Sequence, residues 1–323
     1  MLPAMKSSVS TFVHTSAQPL PGITVLERGW LSSNNVLLHG ANAEEGAVLV
    51  DSSHVLHAQQ TVTLVRHALQ GRASLRELLN THLHSDHCGG NAALQAAFDC
   101  PLRIPPGGYQ AVSAWDEEQL SYRAVGQRCQ RFTPQGRLMP DEEIQVGSRR
   151  WVVLAAPGHD PDSVILFDPQ NGVLISADAL WENGFGVVFP ELEAEPGFDD
   201  VAEVLDLIES LDARTVIPGH GPAFGDVPAA LQRARRRLAG FMADPARHRH
   251  HGIKVLLKFH LMEEQQQSWQ DLLSWLANTP MTTQIWQRQG RPAGSIAAWG
   301  EQIVHELAAR GALQVRSGVV HNR

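Results

Sequence analysis

One short segment constrains this chain more than any other: Thr81-His-Leu-His-Ser-Asp-His-Cys-Gly-Gly90. It sets His82, His84 and His87 and the carboxylate of Asp86 side by side, directly after the apolar run Leu78–Thr81. Three imidazoles and an acid crowded in this way have no favourable arrangement unless a cation joins them. Histidine is the commonest metal ligand at neutral pH, so the segment reads as a metal-binding turn between a buried strand and a helix. Gly89 and Gly90 allow the tight backbone path that such a turn needs, and a helix is expected from about Gly89 to Phe98.

The same arrangement, a polar residue just beyond an apolar strand, recurs three times. Trp151–Ala155 leads to Pro157-Gly158-His159, Val173–Ser176 to Ala177-Asp178, and Thr215–Ile217 to Pro218-Gly219-His220-Gly221. Repetition of this kind places several loops at one edge of a sheet sandwich. A catalytic zinc takes three protein ligands and keeps a position open, so two ions need the downstream residues as well as the first cluster.

The remaining pattern is that of a mixed α/β chain. Gly22–Leu26, Asn35–His39 and Ala47–Asp51 read as strands, the last continuously apolar and therefore buried on both faces. Helical spacing of Val62, Leu64, Val65 and Leu69 predicts a helix over His57–Leu69, stopped by Gly71. Strands follow at Val164–Phe167 and at the runs named above. Helices are expected at Asp199–Leu211, with Asp199 or Asp200 as N-cap, and at Pro228–Phe241. Residues 105–140 are poorly periodic and are read as a cover over the site. From Asp244 the texture changes. Residues 253–261, 269–277 and 295–310 read as three helices, and Ala312–Val315 and Val319–His321 as a hairpin, the layout of a winged-helix module.

Composition excludes several classes. The chain has 323 residues, enough for one large or two smaller domains. A net charge of −8 argues against general affinity for nucleic acid. There is no apolar run of about 18 residues, so no membrane span is expected. Residues 1–20 read as a tail without a secretory signal. Cys88, Cys100 and Cys129 are odd in number and lack a CxxC spacing, which excludes a disulfide framework and points to a reducing cytoplasm.

Asp51 after a strand, then HxHxDH, then His159, Asp178 and His220, is similar in order to the metallo-β-lactamase fold superfamily over roughly residues 20–240. That resemblance implies a four-layered αββα sandwich, here residues 21–243, followed by a small winged-helix-like domain at 244–323. It implies that His82, His84 and His159 hold a first metal and Asp86, His87 and His220 a second. Asp178 would bridge them, and Asp51 would orient the histidine loop. It also implies two Zn²⁺, although imidazole and carboxylate ligands accept iron or manganese too. Where many relatives read PGHTPGS, this chain reads Pro157-Gly-His-Asp-Pro-Asp-Ser163, so Asp160 and Asp162 add two carboxylates beside the first metal. Cys88 is expected to pack at the helix start.

The implied activity is hydrolysis. A metal-bridging hydroxide would attack a thioester, ester or lactone carbonyl, with Asp86 and Asp178 as the catalytic carboxylates. The series resembles glyoxalase II, while Pro218-Gly-His-Gly-Pro222 and the C-terminal layout resemble hydrolases that append a winged-helix-like module. That second likeness implies an alternative, a metal-dependent endoribonuclease or phosphodiesterase acting on RNA. A mono-iron persulfide dioxygenase-like enzyme uses the same ligand types and is a further alternative. A small-molecule acyl substrate is the favoured partner, with homodimer contacts through the C-terminal domain. Arg233, Arg235, Arg236 and Arg237 read as a solvated helix face, with contact to an acidic substrate group, phosphate or carboxylate, as the alternative, and His248, His250 and His251 as a surface turn rather than a second metal cluster. Trp181, Phe185 and Phe189 read as an apolar wall beside the metals.

Overall fold

The computed structural model describes residues 20–71 and 73–323, so all but one residue of the expected N-terminal tail lies outside it. The first sheet runs in chain order through β1 (Ile23–Leu26), β2 (Asn35–His39), β3 (Ala47–Val50), β4 (Leu75–Leu79), β5 (Leu102–Ile104) and β6 (Gly136–Arg137). Its first three strands are antiparallel, and β3 through β6 are parallel. The second sheet contains β7 (Glu143–Val146), β8 (Arg149–Ala155), β9 (Val164–Asp168), β10 (Val173–Ala177) and β11 (Thr215–Pro218), ordered β11-β10-β9-β8-β7. Only β10 and β11 are parallel to each other in it.

The apolar runs are continuous because both faces of each sheet are covered. Val36, Leu38, Val48 and Val50 meet Trp151, Val153, Val164 and Leu166 between the sheets. Their alternates Leu37 and Leu49 pack outward under α1 (Ala58–Leu69), with Val62 and Val65 of that helix. On the far side Ile165, Phe167 and Leu174 face helices that are described below. Each fully buried Leu, Ile or Val contributes on the order of 1.5–3 kcal/mol, so a one-residue register slip, which would exchange the two faces, is strongly disfavoured.

Between β4 and β6 lie α2 (Ser85–Cys88), α3 (Asn91–Phe98), α4 (Tyr109–Ala114) and α5 (Tyr122–Val125). The helix expected from about Gly89 to Phe98 is α3, and a separate short helix, α2, precedes it within the HxHxDH segment. The poorly periodic stretch 105–140 holds α4, α5 and β6. After β10 come α6 (Phe189–Glu193), α7 (Phe198–Ser210) and α8 (Val227–Ala243). Val204, Leu205, Ile208, Leu231 and Leu238 of α7 and α8 close the outer face of the second sheet, completing four layers. Asp199 and Asp200 are not the cap of α7. They lie in its first turn, where carboxylates favour the helix dipole, and Glu191 Oε1 accepts from the N–H groups of Gly197 and Phe198 instead.

The C-terminal region has more structure than its apolar periodicity implies. Here α9 (Pro245–Glu264) is far longer than residues 253–261, because Asp244 caps it and its first turns are polar. The helix expected at 269–277 is α10 (Trp269–Asn278), and a proline at the first helical position opens α11 (Pro280–Arg288) immediately after it, where no helix is expected. With α12 (Ile296–Ala309), the helices enclose a core that includes Ile253, Leu257, Leu272, Leu276, Ile303 and Val304. The expected hairpin, β13 (Leu313–Arg316) and β14 (Val319–Asn322), is present and gains a third strand, β12 (Gln266–Ser268). Val125, Val187 and Leu192 join this core, so the region packs on the loops of the sandwich. Among the described residues, no helix is long and apolar enough to cross a membrane.

Candidate metal centre

The seven residues expected as ligands converge at one end of the sandwich. His82, His84 and His159 form one group. Asp86, His87 and His220 form another, and Asp178 joins His82 and His87. His84 Nδ1 lies 2.8 Å from His159 Nε2, and His220 Nε2 lies 3.1 Å from Asp86 Oδ2. Asp178 stands between the groups: Oδ2 is 3.4 Å from His159 Nε2, while Oδ1 is 3.5 Å from His87 Nε2 and 3.8 Å from His220 Nε2.

Contacts behind the imidazoles set which nitrogen faces inward. Asp51 accepts from the Thr81 N–H at 2.9 Å, from Thr81 Oγ1 at 2.8 Å and from His87 Nδ1 at 2.8 Å. Because Thr81 Oγ1 donates to Asp51, it accepts from His82 Nδ1 at 3.1 Å. His159 Nδ1 donates to the Val187 carbonyl at 2.6 Å. In each case Nε2 is left with a lone pair directed into the site. His82 Nε2 and His87 Nε2 are buried there without any hydrogen-bond partner, which is costly for a polar atom unless a cation takes it. The donor set therefore fits divalent metal, and the outer hydrogen bonds are those that hold ligating imidazoles in one tautomer.

The electrostatics agree. Burial keeps His82 neutral and pushes His84 and His159 down to about 4. Burial raises the carboxyls of Asp86 and Asp178, but the neighbouring His87 and His220 outweigh it, holding Asp86 at about 2 and Asp178 well below the usual range. Burial also opposes charge on His87, yet Asp178, Asp51 and Asp86 raise it well above an ordinary histidine. The centre thus holds ionised acids beside neutral His82, His84 and His159, with His87 held charged by the carboxylates around it, a place where a cation would take over that charge.

Close backbone approach is part of the construction. A Cβ on Gly186 would overlap the His159 ring, and one on Gly219 would overlap the Asp178 carboxylate. Asp160 lies 3.9 Å from His84 Nε2, whereas Asp162 is exposed and occupies the space over Gly107. Cys88 is buried away from the centre, its sulfur 3.3 Å from the Leu83 carbonyl and 3.2 Å from Tyr122 Oη.

A cavity of about 540 Å³ opens from the centre. Trp181 and Phe189 line it as expected, and Trp181 Nε1 donates to Asp178 Oδ1 at 3.1 Å. Phe185 lines it too, almost wholly buried against Phe241. Trp30 was not expected: it stacks on His220 with ring centroids 5.3 Å apart and planes at 9°. An isolated exposed tryptophan after Gly29 carries no periodic signal, so only the tertiary contact identifies it. The other long wall is α9, which sequence reasoning read in part as a surface turn. His248 is buried on that helix and its Nε2 accepts from the Val188 N–H at 3.2 Å. His250 meets Glu306, and His251 meets Arg237. Arg235 does lie on a solvated face, paired with Asp206 and Glu209, but Arg237 is partly buried over the rings of Phe185 and Phe241.

Known proteins resemble the chain over this region. A hydroxyacylglutathione hydrolase of Bdellovibrio bacteriovorus is 26% identical over 184 residues, 57% of this chain and 61% of that protein. An acyl-coenzyme A thioesterase, MBLAC2, of Homo sapiens is 24% identical over 219 residues, 62% of this chain and 78% of that protein. The matches thus span about half to three-fifths of the hydroxyacylglutathione hydrolases. Among solved structures, a metallo-beta-lactamase family protein from Thermus thermophilus aligns with a TM-score of 0.54 at 21% identity, covering 94% of this chain and 99% of that one. A beta-lactamase domain protein from Burkholderia ambifaria gives 0.53 at 20% identity, covering 95% and 92%. Residues 28–220, more than half of the chain, match the model of the metallo-beta-lactamase superfamily, and the protein belongs to that superfamily.

Proposed function

We propose that the protein is a dinuclear zinc hydrolase of acyl thioesters, with esters and lactones as chemically adjacent substrates. The observation that carries this reading is the position of Asp178, whose two oxygens face the two ligand groups separately. His82, His84 and His159 would hold one ion, Asp86, His87 and His220 the other, and Asp178 both. When bound, the metal pair supplies Lewis acidity, drawing charge from a carbonyl oxygen and bringing the pKa of water from about 15.7 toward about 7.

The chain's own residues do the rest. Asp51 and the Val187 carbonyl hold the imidazoles so that Nε2 faces the substrate side. Trp181 fixes the Asp178 carboxylate through its indole N–H, keeping its two oxygens turned to the two ligand groups. Asp86 is the second carboxylate in reach. Trp30, Trp181 and Phe189 form an apolar wall for the acyl group and limit water to the reacting face. The relatives named hydroxyacylglutathione hydrolase and acyl-coenzyme A thioesterase share thioester cleavage, which supports this chemistry over phosphodiester cleavage. We divide the chain at Asp244 into the hydrolase domain and a winged-helix-like module. Three free cysteines support a cytoplasmic setting.

Thiol release from acyl-glutathione and acyl-coenzyme A thioesters, with and without added zinc, tests the reading. Zinc-dependent hydrolysis that collapses in Asp178→Asn is expected. Absence of metal-dependent thiol release across the panel, or cleavage of single-stranded RNA alone, would refute it.

A further inference from the structure

The cavity leading from the metal centre continues into a second cleft of about 660 Å³, and the two share Arg237, His251, Lys254 and Arg310. Among the described residues, no carboxylate lines this second cleft. Its cations come from three elements: Arg236 and Arg237 from α8, Arg247, His250, His251 and Lys254 from α9, and Arg310 just after α12. On α9, Arg247, His251, Lys254 and Lys258 recur at helical spacing, so one stripe of the helix points along both cavities.

Some of these charges are already engaged. Lys254 and His250 meet Glu306, and Lys258 is saturated by the Ala312 and Arg323 carbonyls and Asn322. Four guanidinium groups meet no acid, although Arg237 bonds His251 Nε2. Among the described residues, Arg236, Arg237, Arg247 and Arg310 have no carboxylate within 4.0 Å. In a chain of net charge −8, this concentration of unpaired arginines in one concave surface is the opposite of what the average would place there. Such a surface focuses a positive potential, and guanidinium forks match phosphate oxygens two at a time.

We propose that this cleft is a polyphosphate subsite, and that the acyl carrier of the substrate is a phosphorylated nucleotide thiol. The proposal rests on the thioesterase reading and narrows it. A glutathione carrier has an ammonium group as well as carboxylates, and the cleft holds no acid to receive that ammonium. A carrier with phosphates at one end and a thiol on an uncharged arm fits the sequence of surfaces: cations, then Val255 and Phe259 of α9, then the metals. The chain of contacts is short: Arg237 covers Phe185, and the adjoining Gly186 packs on His159.

The test uses the full chain reconstituted with zinc. Hydrolysis of acetyl-coenzyme A, S-acetylpantetheine and S-lactoylglutathione is compared, and binding of adenosine 3′,5′-bisphosphate is measured by calorimetry. Acetyl-coenzyme A should exceed the phosphate-free thioester in kcat/KM. Arg247→Ala and Arg310→Ala, both at exposed positions that leave the core intact, should each shrink that ratio roughly tenfold through KM, as loss of a charge-assisted contact does. Bisphosphate binding should weaken in parallel, and Arg310→Lys should restore part of it. Bisphosphate binding that the variants lose, in a protein that cleaves no thioester, would support the subsite while removing the proposed activity. Thioester hydrolysis indifferent to phosphate, preference for the glutathione thioester, or RNA binding lost in the variants without thioester discrimination would each overturn the subsite.

Discussion

His54 Nε2 lies 2.8 Å from Glu263 Oε1, and both side chains are buried. His54 Nδ1 accepts from the Leu56 N–H, so Nε2 carries the proton and donates to the carboxylate. The pair joins α9 to the loop after Asp51, whose Ser52 hydroxyl donates to the His87 carbonyl. Glu263→Ala leaves a buried donor unpaired and should cost about 2–4 kcal/mol. Glu263→Gln keeps an acceptor and should cost less. Urea denaturation measures both, and an alanine variant as stable as the parent would show that the contact carries no stability.

Asp51 accepts three hydrogen bonds and holds His87 in the tautomer that turns Nε2 inward. Asp51→Asn breaks this acceptor set without changing size. Metal affinity, followed by competition with a chelating dye, should fall by about 10–100-fold. Unchanged affinity would separate Asp51 from the metal site.

Gly186 has no room for a methyl group beside the His159 imidazole. Gly186→Ala should displace that ring, weaken the first ligand group and lower kcat by about 100-fold, since misplacement near 1 Å costs that much. Circular dichroism should show the fold retained. A fully active Gly186→Ala would contradict the close packing.

Ligand removal should be selective. His84→Ala should lose the ion of the first group and keep the other, His220→Ala the reverse, and Asp178→Ala should weaken both. Inductively coupled plasma mass spectrometry of the three purified variants reads this directly. Identical losses in His84→Ala and His220→Ala would argue for a single ion.

His248 is buried between Phe198 and Phe241, and burial, with Arg237 and Arg249 nearby, lowers it to about 4. It is neutral in the folded protein and accepts from the Val188 N–H. The unfolded chain, with an ordinary value of 6.5, binds the extra proton first on acidification. The stability due to neutral His248 is therefore present above pH 6.5 and is lost as pH falls toward 4. The loss amounts to about 3 kcal/mol at most, taking roughly 1.4 kcal/mol per pH unit. In His248→Gln the melting temperature should fall less steeply over that interval. An unchanged slope would assign the acid sensitivity elsewhere.

The metal residues were legible because each follows an apolar strand by a few positions, so local pattern and chemistry coincide. The continuous run at Ala47–Val50 likewise announced a sheet covered on both sides. The start of α9 was not legible. Its first two turns are arginine and histidine, and the buried His248 breaks no polar pattern. Trp30 and Gly186 were missed for a related reason, since their partners His220 and His159 are remote in the chain.

The amino-acid order alone determined the ligand types, their succession and the strands that carry them, because hydrophobic periodicity and short-range spacing are properties of neighbours. Only the tertiary structure decided which Nε2 atoms face one another, that the Val187 carbonyl orients His159, and that α8, α9 and Arg310 share a cleft without acids. Those relations join segments separated by tens to hundreds of residues. They come into being when sheets and helices pack, so no local signal can contain them.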